Sequence, residues 1–248
     1  MQSLKIISDI RRNIAMHTQS VNQLETTFST NESERLYQLL DIVIGPQFGN
    51  DPQEKLQKTL ELKYSEAVLC ANYTKPELNE VLLDLGSGLG VFAGYISGQV
   101  KKVICCDIYR EMLDLAQSLN KDKNNIEYVH INSYDLSPIE KKSIDILYSI
   151  GLFIHFNIYD TYLYFRELER VIKPGGKFFI NLKNENELHM EEFISHAKVY
   201  EVNGHTTNGL VQWMAPNAVI RLAEHYGFEL INLLDDKDDC WLYFCLKD

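Results

Sequence analysis

The spacing of apolar residues changes near residue 75, and this change divides the chain into two parts. Asp51 followed by Pro52 is typical of a helix start in the first part. Apolar residues also recur there at the helical spacing of three or four, as at Leu4, Ile7 and Ile10. Short apolar runs alternate with helix-like segments in the second part. We therefore predict a helical N-terminal cap over residues 1–75 and a second domain over residues 76–248.

The second domain contains seven apolar runs of strand length. Helical patterns fill three of the four intervals between the first five runs, which favours a doubly wound α/β sheet. The last two, Phe228–Leu234 and Cys240–Leu246, are too close for a parallel crossover and favour an antiparallel hairpin. The predicted fold is a mainly parallel seven-stranded sheet with an antiparallel last strand. The other predicted strands lie near 81–85, 102–106, 126–131, 144–149 and 177–182, with helices near 90–98, 109–120 and 158–172.

The composition is that of a soluble globular protein and argues against several other classes. Of 248 residues, 45% are hydrophobic and 24% are charged, and the net charge of −11 opposes binding to nucleic acid. No run of 18 apolar residues is present, and the N-terminus lacks the apolar core of a secretory signal. Five cysteines without a C-x-x-C pair favour a reducing compartment. We expect a cytoplasmic protein with no membrane span, in which Cys105 and Cys106 are buried.

A glycine-rich turn follows the first apolar run of the second domain. Gly86, Gly88 and Gly90 lack Cβ atoms, so the backbone can turn sharply and a ligand can approach closely. A dinucleotide fingerprint would have a third glycine where this chain has Val91, and Asp84 stands two residues before the first glycine. The pattern predicts a site for a nucleotide-like ligand, and a tight turn without a ligand is the alternative.

The run Asp84-Leu-Gly-Ser-Gly-Leu-Gly90 resembles the first motif of the class I S-adenosylmethionine-dependent methyltransferases. The turn Lys173-Pro-Gly-Gly176, after the fourth predicted strand, is similar to a second motif of that family. The resemblance covers about residues 75–248 and implies S-adenosylmethionine as the cofactor. The residues of the first motif that it implies for cofactor binding are Asp84, Gly86, Ser87, Gly88 and Gly90.

An acidic residue, Asp107, ends the second predicted strand, 17 positions beyond Gly90. A carboxylate there can accept hydrogen bonds from both ribose hydroxyls of a nucleoside. The resemblance implies this role for Asp107 and a neighbouring cofactor contact for Ile108. The alternative is that Asp107 caps the helix that begins near Tyr109.

Polar residues follow the third predicted strand. A polar residue at this point contacts adenine in the resembled family, which implies that role for Asn132, with Ser133 contributing its backbone N–H group. Asp135 is an alternative carboxylate. An ordinary loop with an Asx turn is equally compatible with the sequence.

Two histidines, His155 and His205, are candidates for acid–base catalysis. The fourth predicted strand ends at Ser149, which is assigned to the cofactor, and His155 follows in a loop that would face the ligand crevice. A histidine can act as a general base because its reference pKa lies near neutrality. Bonding a loop carbonyl is the structural alternative for His155. No metal-ligand spacing is present, and the reaction that the resemblance implies requires no metal.

The segment 184–215 is predicted to be an insert on the acceptor side of the sheet. Tyr200, His205 and Trp213 are candidates to line an acceptor pocket, and packing in the core is the alternative for Trp213. The resemblance implies methyl transfer to an oxygen or nitrogen of a small molecule. Methylation of a protein or RNA, and non-catalytic binding of S-adenosylmethionine, stay open as alternatives. The sequence does not give the oligomeric state.

Overall fold

The structure is a computed structural model that describes residues 51–202, 210–235 and 239–247. The helices that we predict before residue 51 lie outside the described residues. None of the described helices combines the length and the apolar character needed to cross a membrane.

The first described helix, α1, spans Pro52–Thr74 and begins where Asp51 predicts it. The Asp51 side chain accepts a hydrogen bond from Glu54 N at 2.8 Å, so it satisfies one of the free N–H groups of the first turn. Lys75 caps the end of the helix, and its φ of 47° lies in the left-handed region. One side of α1 packs against the sheet and its first crossover helix, with the Tyr64 and Tyr95 rings 4.9 Å apart.

One sheet contains eight strands, seven of which are those predicted. The strands are β1 (Val81–Leu85), β2 (Lys102–Asp107), β3 (Ile126–His130), β4 (Ile144–Ser149), β5 (Ile172–Asn184), β6 (Trp213–Met214), β7 (Phe228–Asp235) and β8 (Cys240–Leu246). Their order is β3-β2-β1-β4-β5-β8-β7, and the two-residue β6 pairs with the end of β5. β8 runs antiparallel to both β5 and β7, while the remaining pairs are parallel. The predicted mainly parallel sheet with an antiparallel last strand is confirmed.

Helices connect the parallel strands and cover both faces of the sheet. They are α2 (Val91–Ile96), α3 (Arg110–Leu119), α4 (Ile158–Val171), α5 (Met190–Val202) and α6 (Pro216–His225). Adjacent residues of β1 point to opposite faces, so Leu82 packs in a layer with α1 and α2, and Leu83 in a layer with α4 and α6. Burial on both faces explains why the predicted strands are continuous apolar runs. Cys105 and Cys106 are fully buried in these two layers, as predicted.

The Lys173–Gly176 segment differs from the prediction. We predict a turn and then a strand from residue 177, but β5 begins at Ile172, directly after α4. Ile172 pairs with Ile144 and Lys177 pairs with Ile146, so an advance of five residues along β5 corresponds to an advance of two residues along β4. The segment is therefore an irregular, bulged part of the strand. The proline and glycines predicted a local change of backbone direction. They did not predict that β5 pairs with β4 both before and after this segment.

Asn120 ties the glycine turn to the end of α3. Its buried Nδ2 donates to Gly90 O at 3.0 Å and to Ala116 O at 2.9 Å. Gly90 has a φ of 64°, and a Cβ atom there would lie 2.9 Å from the Cβ atom of Ala116. A larger residue would thus separate the turn from α3.

We expect Asn120→Ala to lower the free energy of unfolding by about 1–3 kcal/mol, because two buried side-chain hydrogen bonds, to Gly90 O and Ala116 O, would be lost while Gly90 O keeps its bond from Gly94 N. Urea unfolding followed by circular dichroism measures this loss. Asn124→Ala is the matched control, since Asn124 is exposed four residues further on, and it should change stability by no more than about 0.5 kcal/mol. Equal losses in the two variants would contradict the role of Asn120.

Candidate functional site

The glycine turn lies at the carboxyl end of β1, where the strand order reverses. β2 and β3 follow on one side of β1, and β4 and β5 on the other. Connections that leave neighbouring strands toward opposite faces open a crevice above the carboxyl ends, and doubly wound sheets bind their ligands there. The sheet topology therefore places the predicted turn in a binding crevice.

The backbone of the turn requires glycine and leaves open space for a ligand. Gly86, Gly88 and Gly90 all have positive φ angles, of 76°, 50° and 64°. Gly86 N and Ser87 N donate to Cys106 O, at 2.8 and 3.0 Å, which anchors the turn on β2. Apart from its two chain neighbours, no described residue has a heavy atom within 4 Å of the position that a Cβ on Gly88 would take. The middle of the turn is therefore an open surface.

Asp107 joins the glycine turn to the segment after β2. Its Oδ2 accepts a hydrogen bond from Gly88 N and its Oδ1 one from Tyr109 N, both at 2.9 Å. Burial raises the pKa of the Asp107 carboxyl, whereas these backbone donors lower it. A carboxylate offers about four lone-pair sites, so both oxygens can still accept bonds from a ligand. Local capping and a ribose contact are therefore compatible in this geometry.

The Asp84 carboxyl group is buried in the same crevice. The residue is 5% exposed, and its Oδ2 has no hydrogen-bond partner among the described residues. Burial raises the pKa of Asp84 to about 7, against the lowering effect of the Lys63 ammonium, and the Asp107 carboxylate adds to the rise. Buried polar atoms without partners are rare and costly, so this oxygen favours a ligand that donates hydrogen bonds or carries positive charge.

Two serines predicted to contact the cofactor have different surroundings. Ser87 Oγ is buried and interacts with the Cys105 thiol, and it has no nitrogen or oxygen partner within the described residues. Ser149 Oγ is fully buried and donates to Leu85 O at 2.9 Å, which joins the ends of β4 and β1. The Ser149 hydroxyl is therefore engaged within the sheet, whereas the Ser87 hydroxyl keeps capacity for a further hydrogen bond.

The residues predicted for the adenine side lie in adjacent loops after β2 and β3. His130 Nε2 is 3.0 Å from Ile108 O, which holds the two loops together. Ile108 is 44% exposed and presents apolar surface beside Asp107, and Asn132 and Ser133 are exposed in the next loop. The alternative carboxylate, Asp135, accepts a bond from the backbone N–H of residue 137 at 2.9 Å, so it has the local role of an Asx turn.

His155 ends a short 3₁₀ helix after β4, and its Nδ1 lies 3.4 Å from Leu210 O. Burial lowers the pKa of the imidazole; the Leu210 carbonyl opposes this, and the charges of His196 and Lys63 add to the lowering. The ring is therefore neutral near pH 7. With the proton on Nδ1, Nε2 keeps a lone pair, so the structural bond and a base role use different nitrogen atoms.

A cavity of about 380 Å³ lies against α5, within the predicted insert. Phe193, Tyr200 and Trp213 supply aromatic wall, and Glu185 is an acidic residue of the lining. The Trp213 ring lies 5.9 Å from the Phe193 ring and 6.1 Å from the His196 ring, between centroids. The structure thus brings together two of the residues predicted to form an acceptor pocket, Tyr200 and Trp213.

The cavity adjoins the loop that carries His155. Gln212 N, in the cavity wall, donates to Ile154 O at 2.7 Å. Trp213 pairs with Lys183 at the carboxyl end of β5, on the same edge of the sheet as the crevice. His205, the second predicted catalytic residue, lies outside the described residues.

Two charged residues of α1 reach the crevice and were not predicted from the sequence. Lys63 Nζ lies 3.2 Å from the position that a Cβ on Gly151 would take, directly after β4. It pairs with Glu66 Oε2 at 2.9 Å, and Glu66 is only 9% exposed. Their spacing of three is common on the solvated face of any helix. Only the packing of α1 over the sheet shows that this pair faces the site.

The residues of the crevice fit S-adenosylmethionine. The free Asp84 Oδ2 suits an ammonium group, the open surface at Gly88 suits a closely approaching ligand, and the exposed Ile108 suits a base ring. No three His, Cys, Asp or Glu side chains of the described ranges lie where they could hold a metal ion together.

Comparison with known proteins identifies the same segment. Residues 83–180 match the family model of a methyltransferase domain. Demethylmenaquinone methyltransferase of Oceanobacillus iheyensis is 36% identical over 106 residues, which are 41% of this chain and 43% of that protein. Malonyl-acyl-carrier protein O-methyltransferase of a Marinomonas species is 36% identical over 99 residues, which are 39% of this chain and 36% of that protein. The chain spans less than half the length of these curated relatives.

A solved structure extends the likeness to a larger share of the chain. Phosphoethanolamine N-methyltransferase 2 of Haemonchus contortus, in complex with phosphomonomethylethanolamine and S-adenosylhomocysteine, matches with a TM-score of 0.58. The match covers 73% of this chain and 52% of that chain. The sequence identity is 17%, so this likeness concerns the fold alone.

We expect affinity for S-adenosylhomocysteine to fall about tenfold per pH unit below pH 7, because the ligand ammonium requires ionised Asp84. The raised pKa means that the free site takes up a proton as the pH falls through 7, and binding must displace it. Calorimetric titration between about pH 5.5 and 8 measures this slope. Asp84→Asn should bind more weakly and lose the slope near pH 7. An unchanged slope in that variant would contradict the assignment.

Proposed function

Because the chain belongs to the class I S-adenosylmethionine-dependent methyltransferase family, we propose that it transfers a methyl group from S-adenosylmethionine to an oxygen or nitrogen atom of a small molecule. One observation carries the cofactor assignment. Two buried carboxyl groups, Asp84 and Asp107, flank a glycine turn at the strand crossover, and Asp84 keeps an oxygen without a partner. A nucleoside that carries an ammonium group satisfies both carboxyl groups.

The nucleoside end of the cofactor binds on the β2 side of the crevice in this proposal. Asp107 accepts the ribose hydroxyls while Gly88 N and Tyr109 N hold its carboxylate in place. Ile108 packs on the adenine ring, and Asn132 offers a donor and an acceptor to the edge of the base. Ser87 Oγ and the glycine turn contact the segment between the two ends of the cofactor.

The chain contributes alignment and exclusion of water to the reaction. Bound S-adenosylmethionine supplies a methyl group on a positively charged sulfur, which a nucleophile attacks directly. The protein therefore has to hold the acceptor atom in line with this group and to remove water from both. His155 is suited to take the proton of a hydroxyl acceptor, since its ring is neutral and its Nε2 carries the lone pair.

The acceptor binds in the cavity along α5 in this proposal. Its volume of about 380 Å³ lies within the range of small-molecule sites, roughly 300–1,000 Å³. The loop that carries His155 joins its wall to the crevice. We assign residues 76–248 to the catalytic domain, residues 184–215 to its acceptor-side insert, and residues 1–75, which include α1, to a cap.

The alternatives to this proposal are a different class of methyl acceptor and a protein that binds the cofactor without catalysing transfer. A cavity of this size and a net charge of −11 favour a small molecule over RNA or a protein. A protein that only binds S-adenosylmethionine would share the crevice, and it would not methylate any acceptor that the cavity binds.

We expect S-adenosylmethionine and S-adenosylhomocysteine to bind in calorimetry and NAD to give no signal. Asp107→Asn should weaken S-adenosylhomocysteine about 10- to 100-fold, because charge-assisted hydrogen bonds to the ribose are lost. Asp114→Asn, an exposed change on α3, is the matched control and should leave the affinity unchanged. Binding of NAD alone would contradict the proposed function.

Trp213 provides a direct readout of the acceptor cavity. The sequence has two tryptophans, so Trp241→Phe leaves Trp213 as the single reporter. We expect the fluorescence emission of Trp213 to change when the small molecule that is methylated binds in the cavity.

Phe193→Ala should raise the KM of that molecule about tenfold, through lost aromatic contact, with S-adenosylhomocysteine affinity unchanged. Ile194→Ala, at the next position of the same helix but outside the cavity lining, is the control, and an equal rise in KM there would contradict the cavity assignment.

A further inference from the structure

Lys63 places a positive charge on the side of the crevice opposite to Asp107. Its Nζ lies 3.2 Å from the position of a Cβ on Gly151, which has a φ of 79° and no side chain to block the approach. Gly151 N donates to Asn181 Oδ1 at 2.7 Å, so the loop beneath the ammonium is fixed to β5. A lysine on a cap helix therefore ends at the junction of β1 and β4.

Acidic groups lie around Lys63 and hold it in place. Its Nζ pairs with Glu66 Oε2 at 2.9 Å, and the side chain of Glu66 is 10% exposed. Asp84 is close enough for the Lys63 charge to lower the pKa of its carboxyl. An ammonium has three donor hydrogens, so Lys63 can donate to a ligand while it stays paired with Glu66.

The charges of the crevice are those that an amino-acid group requires. Among the described residues, Glu66, Asp84 and Asp107 supply carboxyl groups and Lys63 supplies an ammonium, so the crevice offers acceptors to a ligand ammonium and a donor to a ligand carboxylate. The proposed function puts the ribose end at Asp107, on the β2 side of the turn. The opposite end of an extended nucleoside ligand would then lie near Asp84 and Lys63, where the Lys63 charge acts on the Asp84 carboxyl group.

We propose that Lys63 binds the carboxylate of the methionine part of S-adenosylmethionine, while Asp84 takes its ammonium and Glu66 positions Lys63. The inference rests on the proposed function and adds residues of the cap helix to the cofactor site. It makes α1 a part of the binding machinery, so cofactor binding and the docking of α1 stabilise each other.

Three nucleoside ligands separate this role from a structural one. S-adenosylhomocysteine carries both charged groups, its decarboxylated analogue carries only the amine, and 5′-methylthioadenosine carries neither. In the wild-type protein we expect S-adenosylhomocysteine to bind about 10- to 100-fold more tightly than the decarboxylated analogue, the range for one charge-assisted hydrogen bond. Equal affinities would overturn the assignment without any variant.

The variant Lys63→Met should lose that preference. Its affinity for S-adenosylhomocysteine should fall about 10- to 100-fold, and its affinity for the other two ligands should change less than about threefold. Lys63→Arg should retain most of the preference. Lys58→Met is the control, because Lys58 forms an exposed pair with Glu54 on the same helix.

The possible outcomes distinguish a failure of the role proposed for Lys63 from a failure of the proposed function. Equal weakening of all three ligands in Lys63→Met would assign a structural role to Lys63 and overturn the inference. Failure of the wild-type protein to bind any of the three ligands would instead refute the proposed function. Tight binding of 5′-methylthioadenosine, with no gain from the amino-acid group, would leave the nucleoside site standing and remove the role of Lys63.

Discussion

The carboxyl group of Asp84 is removed from water at the end of a central strand, and one of its oxygens has no hydrogen-bond partner among the described residues. An unsatisfied buried acceptor costs about 1–3 kcal/mol, and more if it is charged. The sheet nevertheless holds the group in place, because Leu83 and Leu85 on either side of it are fully buried. The same burial raises the pKa of the Asp84 carboxyl group, because a buried group is harder to ionise.

The surrounding structure is organised around this group. The strand order reverses at β1, which opens the crevice, and three glycines with positive φ carry the chain around it. Asp107 holds the turn through Gly88 N, and Asn120 holds its exit through Gly90 O. These two contacts fix the backbone of the turn on both sides of its open middle at Gly88.

Local signals predicted the sheet and the nucleoside side of the site. The apolar runs gave the seven main strands because burial on both faces leaves little choice of residue. The glycines gave the turn because few other residues adopt its φ angles. Asp107 was found by its distance from the turn, which the length of one crossover helix sets. The solved structure agrees with the fold and the family model matches residues 83–180, while the roles of the individual site residues stay predictions.

Features that depend on tertiary packing were not predicted. Lys63 and Glu66 look like a solvated helical pair, and only the position of α1 brings them to the crevice. The signal at Lys173–Gly176 was local, so it suggested a turn where the chain forms a bulged strand. The hydroxyl of Ser149 bonds to Leu85 O, and spacing along the chain cannot reveal a partner on another strand.

A crystal structure of the protein with S-adenosylhomocysteine tests the central claim most directly, namely that a ligand satisfies the buried Asp84 carboxyl group. The account predicts the ligand ammonium within hydrogen-bond distance of Asp84 Oδ2, at about 2.7–3.0 Å, and the ribose hydroxyls on the Asp107 carboxylate. A bound ligand that leaves Asp84 Oδ2 without a partner, or that lies away from the glycine turn, would contradict it.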